Sequence, residues 1–261
     1  MNILFIGDVV GRPGRRMLVR LISELVEECD AQLVVVNVEN AAGGAGMSRK
    51  IHDQLVGMGV DALTSGNHVW DRRDFIKEVD DCDRLVRPAN FAPNTPGKGW
   101  IVIETDLGPA AVINLAGRVY MPPADCPFRA IDDVLEQLDP DVKIKIIDLH
   151  AEATSEKIAM ANYLDGRASA LIGTHTHVQT ADEKVFPQGL AYISDAGMTG
   201  PSDSVIGVKV APVLERFLTG MSRRFEPATG PVELNGVHVA CDPRTGKAKS
   251  IRRVRRESEK D

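Results

Sequence analysis

Leu33-Val34-Val35-Val36-Asn37-Val38 runs directly into Glu39-Asn40 and then into the glycine-rich loop Ala42-Gly43-Gly44-Ala45-Gly46. A run this apolar and this rich in β-branched residues reads as a strand buried on both faces. On its N-terminal side, Asn2 to Ile6 reads as a second buried strand, ended by the turn Gly7-Asp8-Val9-Val10-Gly11. Pro13 then stands where a helix can begin, and an amphipathic stretch follows to about Glu28. On its C-terminal side a helix is expected from about Ser48, then a short strand over Asp61 to Thr64 that ends at Ser65-Gly66-Asn67-His68. Strands alternating with helices in this way predict an α/β protein.

Farther along, Pro88, Pro93 and Pro96 punctuate a loop, and strands are expected over Trp100 to Glu104 and Ala110 to Leu115. Helix signals return at Phe128 to Leu138. Two more apolar strands, Lys143 to Leu149 and Ala168 to Gly173, lead into His150 and into His175-Thr176-His177. The end of the chain alternates apolar and polar positions (Val232, Leu234, Val237, Val239), as antiparallel strands do. The arginines at 252, 253, 255 and 256 could form a basic patch; the plainer reading is a solvated edge strand running into a frayed end. The expected organisation is one domain over 1–261, with the middle loops available to form a small cap.

The 261 residues are 43% hydrophobic and 26% charged, enough to bury a substantial core. The net charge of -6 argues against a surface that binds polyanions as a whole and leaves room for a local cationic site. Cys29, Cys82, Cys126 and Cys241 form no CxxC pair, which points away from a zinc ribbon or a thioredoxin-like site and toward a reducing compartment. With no signal peptide and no apolar run of membrane-spanning length, a cytoplasmic protein without membrane attachment is expected.

Asp8, Glu39-Asn40, Asn67-His68, His150 and His175/His177 each lie just after an expected strand. Loops at the carboxyl ends of strands in an open α/β sheet converge on one crevice, so residues far apart in sequence can meet there. Carboxylate, imidazole and amide oxygen together suit iron, manganese or zinc, and no cysteine competes for the site. His-x-His on extended backbone sends both rings to one side, and four of the six histidines fall in this set. A carboxylate shared between two ions is the arrangement of two-metal hydrolases. Taken singly the pieces are weaker: Asp8 also reads as a helix cap, and Glu39-Asn40 as turn chemistry. Arg12 follows the loop that carries Asp8, and Arg118 follows a strand end at Asn114 to Gly117; either could grip a phosphate, with surface salt bridges as the plainer reading. His52 and His238 read as structural.

The series Gly7-Asp8, Gly66-Asn67-His68, His150 and Gly173-Thr174-His175-Thr176-His177 resembles the calcineurin-like metallophosphoesterases. The strings Gly7-Asp8-Val9-Val10-Gly11-Arg12, Asn37 to Gly44, Asp148 to Lys157 and Ser194 to Pro201 resemble the YmdB-like branch more specifically. Two positions depart from the wider group: Val10 stands where it has a ligand histidine, and Glu39-Asn40 stands where it has a bridging aspartate. The resemblance implies an α/β/β/α sandwich of two packed mixed sheets flanked by helices, with two divalent or trivalent transition-metal ions, iron or manganese first and zinc as the alternative. It places Asp8, Glu39, Asn40 and His177 on one ion, and Glu39, Asn67, His150 and His175 on the other. His68 remains uncoordinated beside the substrate.

That resemblance implies a phosphodiesterase acting on 2′,3′-cyclic nucleotides. Two cations lower the pKa of a bridging water from about 15.7 toward 7, and His68 acts as general acid toward the departing alkoxide. A homo-oligomer is expected. Three rival readings are a phosphomonoesterase on the same site, an amidohydrolase barrel, and a metal-binding regulatory protein without catalysis. Against the barrel, His175 and His177 come late in the chain; against the regulator, His68 is not needed to hold metal.

Overall fold

β1 (Asn2–Ile6) divides its side chains between two apolar layers: Ile3 and Phe5 enter one, Leu4 and Ile6 the other. β3 (Leu33–Asn37) does the same, with Leu33 and Val35 on one side and Val34 and Val36 on the other. Both faces are covered, so these strands carry no polar alternation and read as continuous apolar runs.

The computed structural model describes residues 1–258. After β1 come β2 (Asp8–Val9), α1 (Gly11–Cys29), β3, α2 (Arg49–Val56), β4 (Ala62–Thr64) and β5 (Leu85–Val86). Then follow β6 (Trp100–Ile103), β7 (Ala110–Ala116), α3 (Pro127–Gln137), β8 (Ile144–His150), α4 (Thr154–Leu164) and β9 (Ala170–Thr174). The last elements are β10 (Lys184–Val185), β11 (Ala191–Ile193), β12 (Met198–Pro201), α5 (Val210–Thr219), β13 (Val232–Cys241) and β14 (Ala248–Glu257).

Two mixed sheets result. One runs β2-β12-β13-β1-β3-β4-β5, with β14 also paired to β13; the other runs β10-β11-β9-β8-β7-β6. Ile3, Phe5, Val35 and Val237 of the first sheet meet Val112, Ile146 and Ile172 of the second in a shared inner layer. Leu4, Val34 and Val36 instead pack against α1 and α2 through Leu18, Ile22 and Leu55. Ile113, Ile147 and Leu171 pack against α3 and α4 through Ile131, Val134 and Met160. The order of layers is therefore α/β/β/α. It is the expected sandwich, and it buries four apolar sheet faces with two sets of helices.

Several local expectations are corrected. Gly7 to Gly11 is not only a turn: Asp8 and Val9 pair in parallel with Met198 and Thr199 of β12. The partner lies 190 residues later in the chain, so nothing local signals the pairing. α1 begins at Gly11 rather than Pro13, and proline is tolerated there because first-turn N–H groups have no helical acceptor. His150 is the last residue of β8 rather than the residue after it. β5, α4, β10, β11, β12 and α5 are additions to the expected elements.

The arginine run lies on β14, an edge strand. Arg252 and Arg256 pair with Glu28, Arg253 with Glu183, and Arg255 with Glu233 and Glu257. The frayed end expected after it lies outside the described residues. Among the described residues, no helix is long and apolar enough to cross a membrane.

Candidate metal centre

β1, β3 and β4 are parallel in one sheet, as are β7, β8 and β9 in the other, and the carboxyl ends of both sets meet at one edge of the sandwich. Buried Asp148, two residues before the end of β8, joins the sheets just beneath that edge. Its Oδ2 accepts from Asn37 Nδ2 (2.8 Å, β3) and Thr64 Oγ1 (2.5 Å, β4), and its Oδ1 accepts from Thr174 Oγ1 (2.6 Å, β9). Three strand ends from two sheets are thereby fixed by one carboxylate.

Two groups of donor atoms form above this anchor. Glu39, His150 and His175 make one, Asp8, Glu39 and His177 the other, with the donor atoms of each within 4.8 Å of one another. Glu39 is common to both. Asn67 Oδ1 adds to the first at 3.2 Å from His150 Nε2, and Asn40 Oδ1 to the second at 3.2 Å from His177 Nε2. All seven residues expected as ligands therefore come together.

Hydrogen bonds fix which ring nitrogens face inward. The Thr174 hydroxyl donates its hydrogen to Asp148, so it accepts from His150 Nδ1 at 2.8 Å and leaves Nε2 facing the cluster. His177 Nδ1 donates to the Ile206 carbonyl at 2.8 Å, which leaves its Nε2 bare beside Asn40. The His-x-His pair is not on extended backbone as expected: β9 ends at Thr174, and His175 and His177 sit in the following loop at positive φ. His175 turns Nδ1 inward, and its Nε2 lies 3.4 Å from Glu152 Oε2. His150 and His177 each have an outer hydrogen-bond partner that sets the tautomer, as metal-ligating histidines usually do, while His175 has the Glu152 carboxylate nearby without a hydrogen bond.

The residues fit a pair of cations. His150 Nε2 is ringed by Glu39 Oε2 (3.0 Å), His175 Nδ1 (3.0 Å) and Asn67 Oδ1 (3.2 Å), three acceptors around an atom with at most one hydrogen. A cation among these four donors would satisfy them all. Asp8 Oδ1 is buried without a hydrogen-bond partner, an orphan that a second cation would satisfy. Gly66 passes so close that a Cβ there would lie 2.3 Å from Glu39 Oε2, so only glycine leaves the space between β4 and the cluster open.

Charges in the cluster are strongly coupled. Burial pushes the Asp8 carboxyl up to about 7, with the His177 and His150 charges opposing it. Burial acts against ionised Glu39 too, but the charge and hydrogen bond of His150 prevail and hold it near about 2. Burial alone would lower His150, yet Glu39 raises it to about 9, while burial and the His150 charge depress His175 to about 3. One proton on His150 thus takes the place of positive charge that the carboxylates require.

His68 lies at the rim. Its peptide N–H points at Glu39 Oε2 (3.3 Å) and its ring Nδ1 contacts Asp71 Oδ2 at 2.7 Å, so Nε2 is the ring nitrogen left for a ligand. Asp71, Glu152, Asp148 and Thr174 are site residues that sequence reasoning misses. Asp148 does leave a signal, a charged residue inside the apolar run Ile146-Ile147-Asp148-Leu149. Among the described residues neither Arg12 nor Arg118 forms the expected surface salt bridge; the Arg118 peptide N–H is held by Glu156 at 3.0 Å. His52 and His238 lie outside the cluster, contacting Asp53 at 2.9 Å and Arg252 at 3.1 Å.

Residues 4–254 match the family model described as YmdB-like protein. The chain belongs to the YmdB-like family. A 2′,3′-cyclic-nucleotide 2′-phosphodiesterase of Bacillus subtilis (strain 168) is 46% identical over 254 residues, which cover 97% of this chain and 96% of that protein. The crystal structure of a protein from Thermus thermophilus superposes with a TM-score of 0.93 at 40% identity, covering 99% and 100% of the two chains. That of a phosphatase from Mycoplasma pneumoniae gives a TM-score of 0.93 at 35% identity, covering 100% and 94%. The two-sheet architecture is therefore the family's own.

Proposed function

We propose that this family member is a two-metal phosphodiesterase that hydrolyses 2′,3′-cyclic nucleotides. The observation that carries the reading is the pair of donor groups sharing Glu39, with His68 beside them but outside both. In this reading Asp8, Glu39, Asn40 and His177 hold one ion and Glu39, Asn67, His150 and His175 the other. The mixed nitrogen and oxygen set favours iron or manganese.

When bound, the two ions supply a nucleophilic water at neutral pH and offset charge on the phosphoryl oxygens. The chain's own residues do the rest. Glu39 spans the two groups and fixes their separation. Asp148, through Thr174, keeps the His150 ring oriented so that Nε2 alone faces inward. The Ile206 carbonyl does the same for His177. His68 Nε2 donates a proton to the oxygen leaving phosphorus, and Asp71, bonded at Nδ1, keeps that ring aimed. A proton delivered in this way is typically worth about 10²–10⁴-fold in rate.

The whole chain 1–261 acts as one catalytic domain in this reading. Its four unpaired cysteines support work in a reducing compartment, the cytoplasm. An assembly of several copies also belongs to the proposal.

Hydrolysis of bis-p-nitrophenyl phosphate and 2′,3′-cyclic AMP tests the assignment, with and without chelator and with manganese or iron restored. Chelator-sensitive cleavage of both is expected. If protein carrying two metals per chain cleaves neither, the diesterase assignment fails. The monoester p-nitrophenyl phosphate then separates the remaining readings: its cleavage would make the site a phosphomonoesterase, and its survival would mean that the site binds rather than catalyses.

A further inference from the structure

Arg12, Arg16 and Arg20 recur every four residues on α1, so they share one face of the helix and stand about 6 Å apart along it. With Pro13 and Met17 they line a groove of about 1000 Å³ whose opposite wall is the segment 227–232. At one end it reaches the glycine-rich loop that follows the proposed ligand Asn40. Gly43 lines the groove, the Gly11 N–H donates to the Asn40 carbonyl (2.9 Å), and Asn40 Nδ2 donates to the Gly44 carbonyl (3.0 Å). Arg12 is the residue after Gly11, so the row of arginines starts beside a proposed metal ligand and leads away from it for about 12 Å.

Exposed arginines are often paired with neighbouring carboxylates, and those of β14 are. Among the described residues none of Arg12, Arg16 and Arg20 forms an ion pair, and Asp203 is the single carboxylate lining the groove. The chain is net negative, so this positive strip is a local feature rather than part of a basic surface.

We propose that the groove binds the sugar–phosphate backbone of a single-stranded oligonucleotide whose terminal 2′,3′-cyclic phosphate occupies the metal centre. This rests on the phosphodiesterase reading and extends its substrate class from mononucleotides to RNA ends. Guanidinium forks match phosphate oxygens two at a time, and one per helical turn offers successive anchor points along a chain of phosphates. Among the described residues no aromatic side chain lines the groove, so there is no platform for bases. Contacts of this kind position a strand without reading it, and binding is expected to ignore base identity.

The test uses the full chain reconstituted with manganese and two probes: 2′,3′-cyclic UMP, and a 5′-fluorescein tetrauridylate ending in a 2′,3′-cyclic phosphate. Turnover of each is followed, and binding of the labelled strand is read by anisotropy against salt. The tetranucleotide should bind more tightly than the mononucleotide. The double variant Arg16→Glu/Arg20→Glu should lower the ratio of kcat/KM for tetranucleotide over mononucleotide by roughly tenfold or more, and flatten the salt slope by about one per arginine. The charge-matched control Arg244→Glu/Lys249→Glu should leave that ratio in place. An unchanged ratio and slope in the Arg16/Arg20 variant would overturn the proposal, as would equal competition by tetraglutamate. Arginine-dependent binding without turnover of either probe would uphold the groove and refute the phosphodiesterase reading instead.

Discussion

Lys157 Nζ lies 3.0 Å from Asp195 Oδ2, both side chains are buried, and the pair grips the loop that carries His175 and His177. Lys157 also donates to the Thr174 carbonyl (2.9 Å). Asp195 accepts from the Thr176 N–H (3.0 Å), the Thr176 hydroxyl (2.8 Å) and the Gly197 N–H (2.9 Å). The grip matters because His175 and His177 both adopt positive φ, 97° and 66°, a conformation that costs a non-glycine residue about 1–3 kcal/mol. A loop strained twice within three residues stays in place only if its surroundings hold it.

Lys157→Met should therefore do two separable things. It leaves Asp195 buried without its partner, at a cost of about 3–5 kcal/mol, read as a fall in Tm. It also frees the loop, read as loss of bound metal from protein that remains folded. The double variant Lys157→Met/Asp195→Asn removes the stranded charge, so it should melt above the single variant while still binding metal weakly. Full metal content in both variants would show that the pair serves stability alone.

Gly66→Ala tests the space between β4 and the donor atoms. The added methyl would lie 2.3 Å from Glu39 Oε2 and 2.3 Å from His150 Cδ2, so one of these must move. The hydrophobic layers are untouched, and the far-ultraviolet dichroism should match the parent. Metal affinity should drop by about tenfold or more, as when the orientation of a ligand is disturbed. Wild-type metal stoichiometry at limiting metal would contradict the placement of Glu39 and His150.

What can be read from sequence follows from the range of each interaction. β1, β3 and β8 are visible because both their faces are apolar, a property of the strand itself. The seven donor residues are visible because strand ends collect them at one edge and because GNH and GTHTH are recognisable strings. The pairing of Asp8-Val9 with Met198-Thr199 is not, since it depends on a partner 190 residues away in sequence. Lys157 and Asp195 are hidden for the same reason: Lys157 looks like one more polar residue on a helix until β9 and the Asp195 loop close over it. A salt bridge is the default expectation for Arg12 because surface arginines usually have one. Only the groove shows it beside Arg16 and Arg20, with no acid of the described residues paired to them.

Metal uptake should release protons. A cation needs the lone pair of His150 Nε2; burial acts to lower metal-free His150, but Glu39 raises it to about 9. At pH 8 about one proton should leave per chain on saturation. Nearer pH 6 a second comes from Asp8, which burial raises to about 7. Affinity must then weaken as pH falls. The same shifts set the metal-free stability. A histidine raised in the fold contributes fully below its ordinary value of about 6.5 and loses that contribution as pH rises through 9. Metal-free protein should thus melt lower at pH 9 than at pH 6.5. Calorimetric titration in two buffers of different ionisation enthalpy counts the protons; none released at pH 8 would mean that His150 is not a ligand.

His68 and Asp71 give the sharpest separation of holding from reacting. His68 supplies no donor atom to either group of ligands, and its Nδ1 is occupied by Asp71 at 2.7 Å. His68→Ala should keep both metals and lose about 10²–10⁴-fold in kcat on 2′,3′-cyclic AMP, whose leaving alkoxide needs a proton. On bis-p-nitrophenyl phosphate, whose leaving group departs as a stable anion, the loss should be much smaller. Asp71→Asn keeps a partner near the ring but no longer offers a carboxylate to Nδ1–H, so it should show the same preference between substrates at lower amplitude. His175→Ala, by contrast, should lose metal and fail on both substrates alike. Equal losses on both substrates in His68→Ala would mean that the ring positions substrate and transfers no proton.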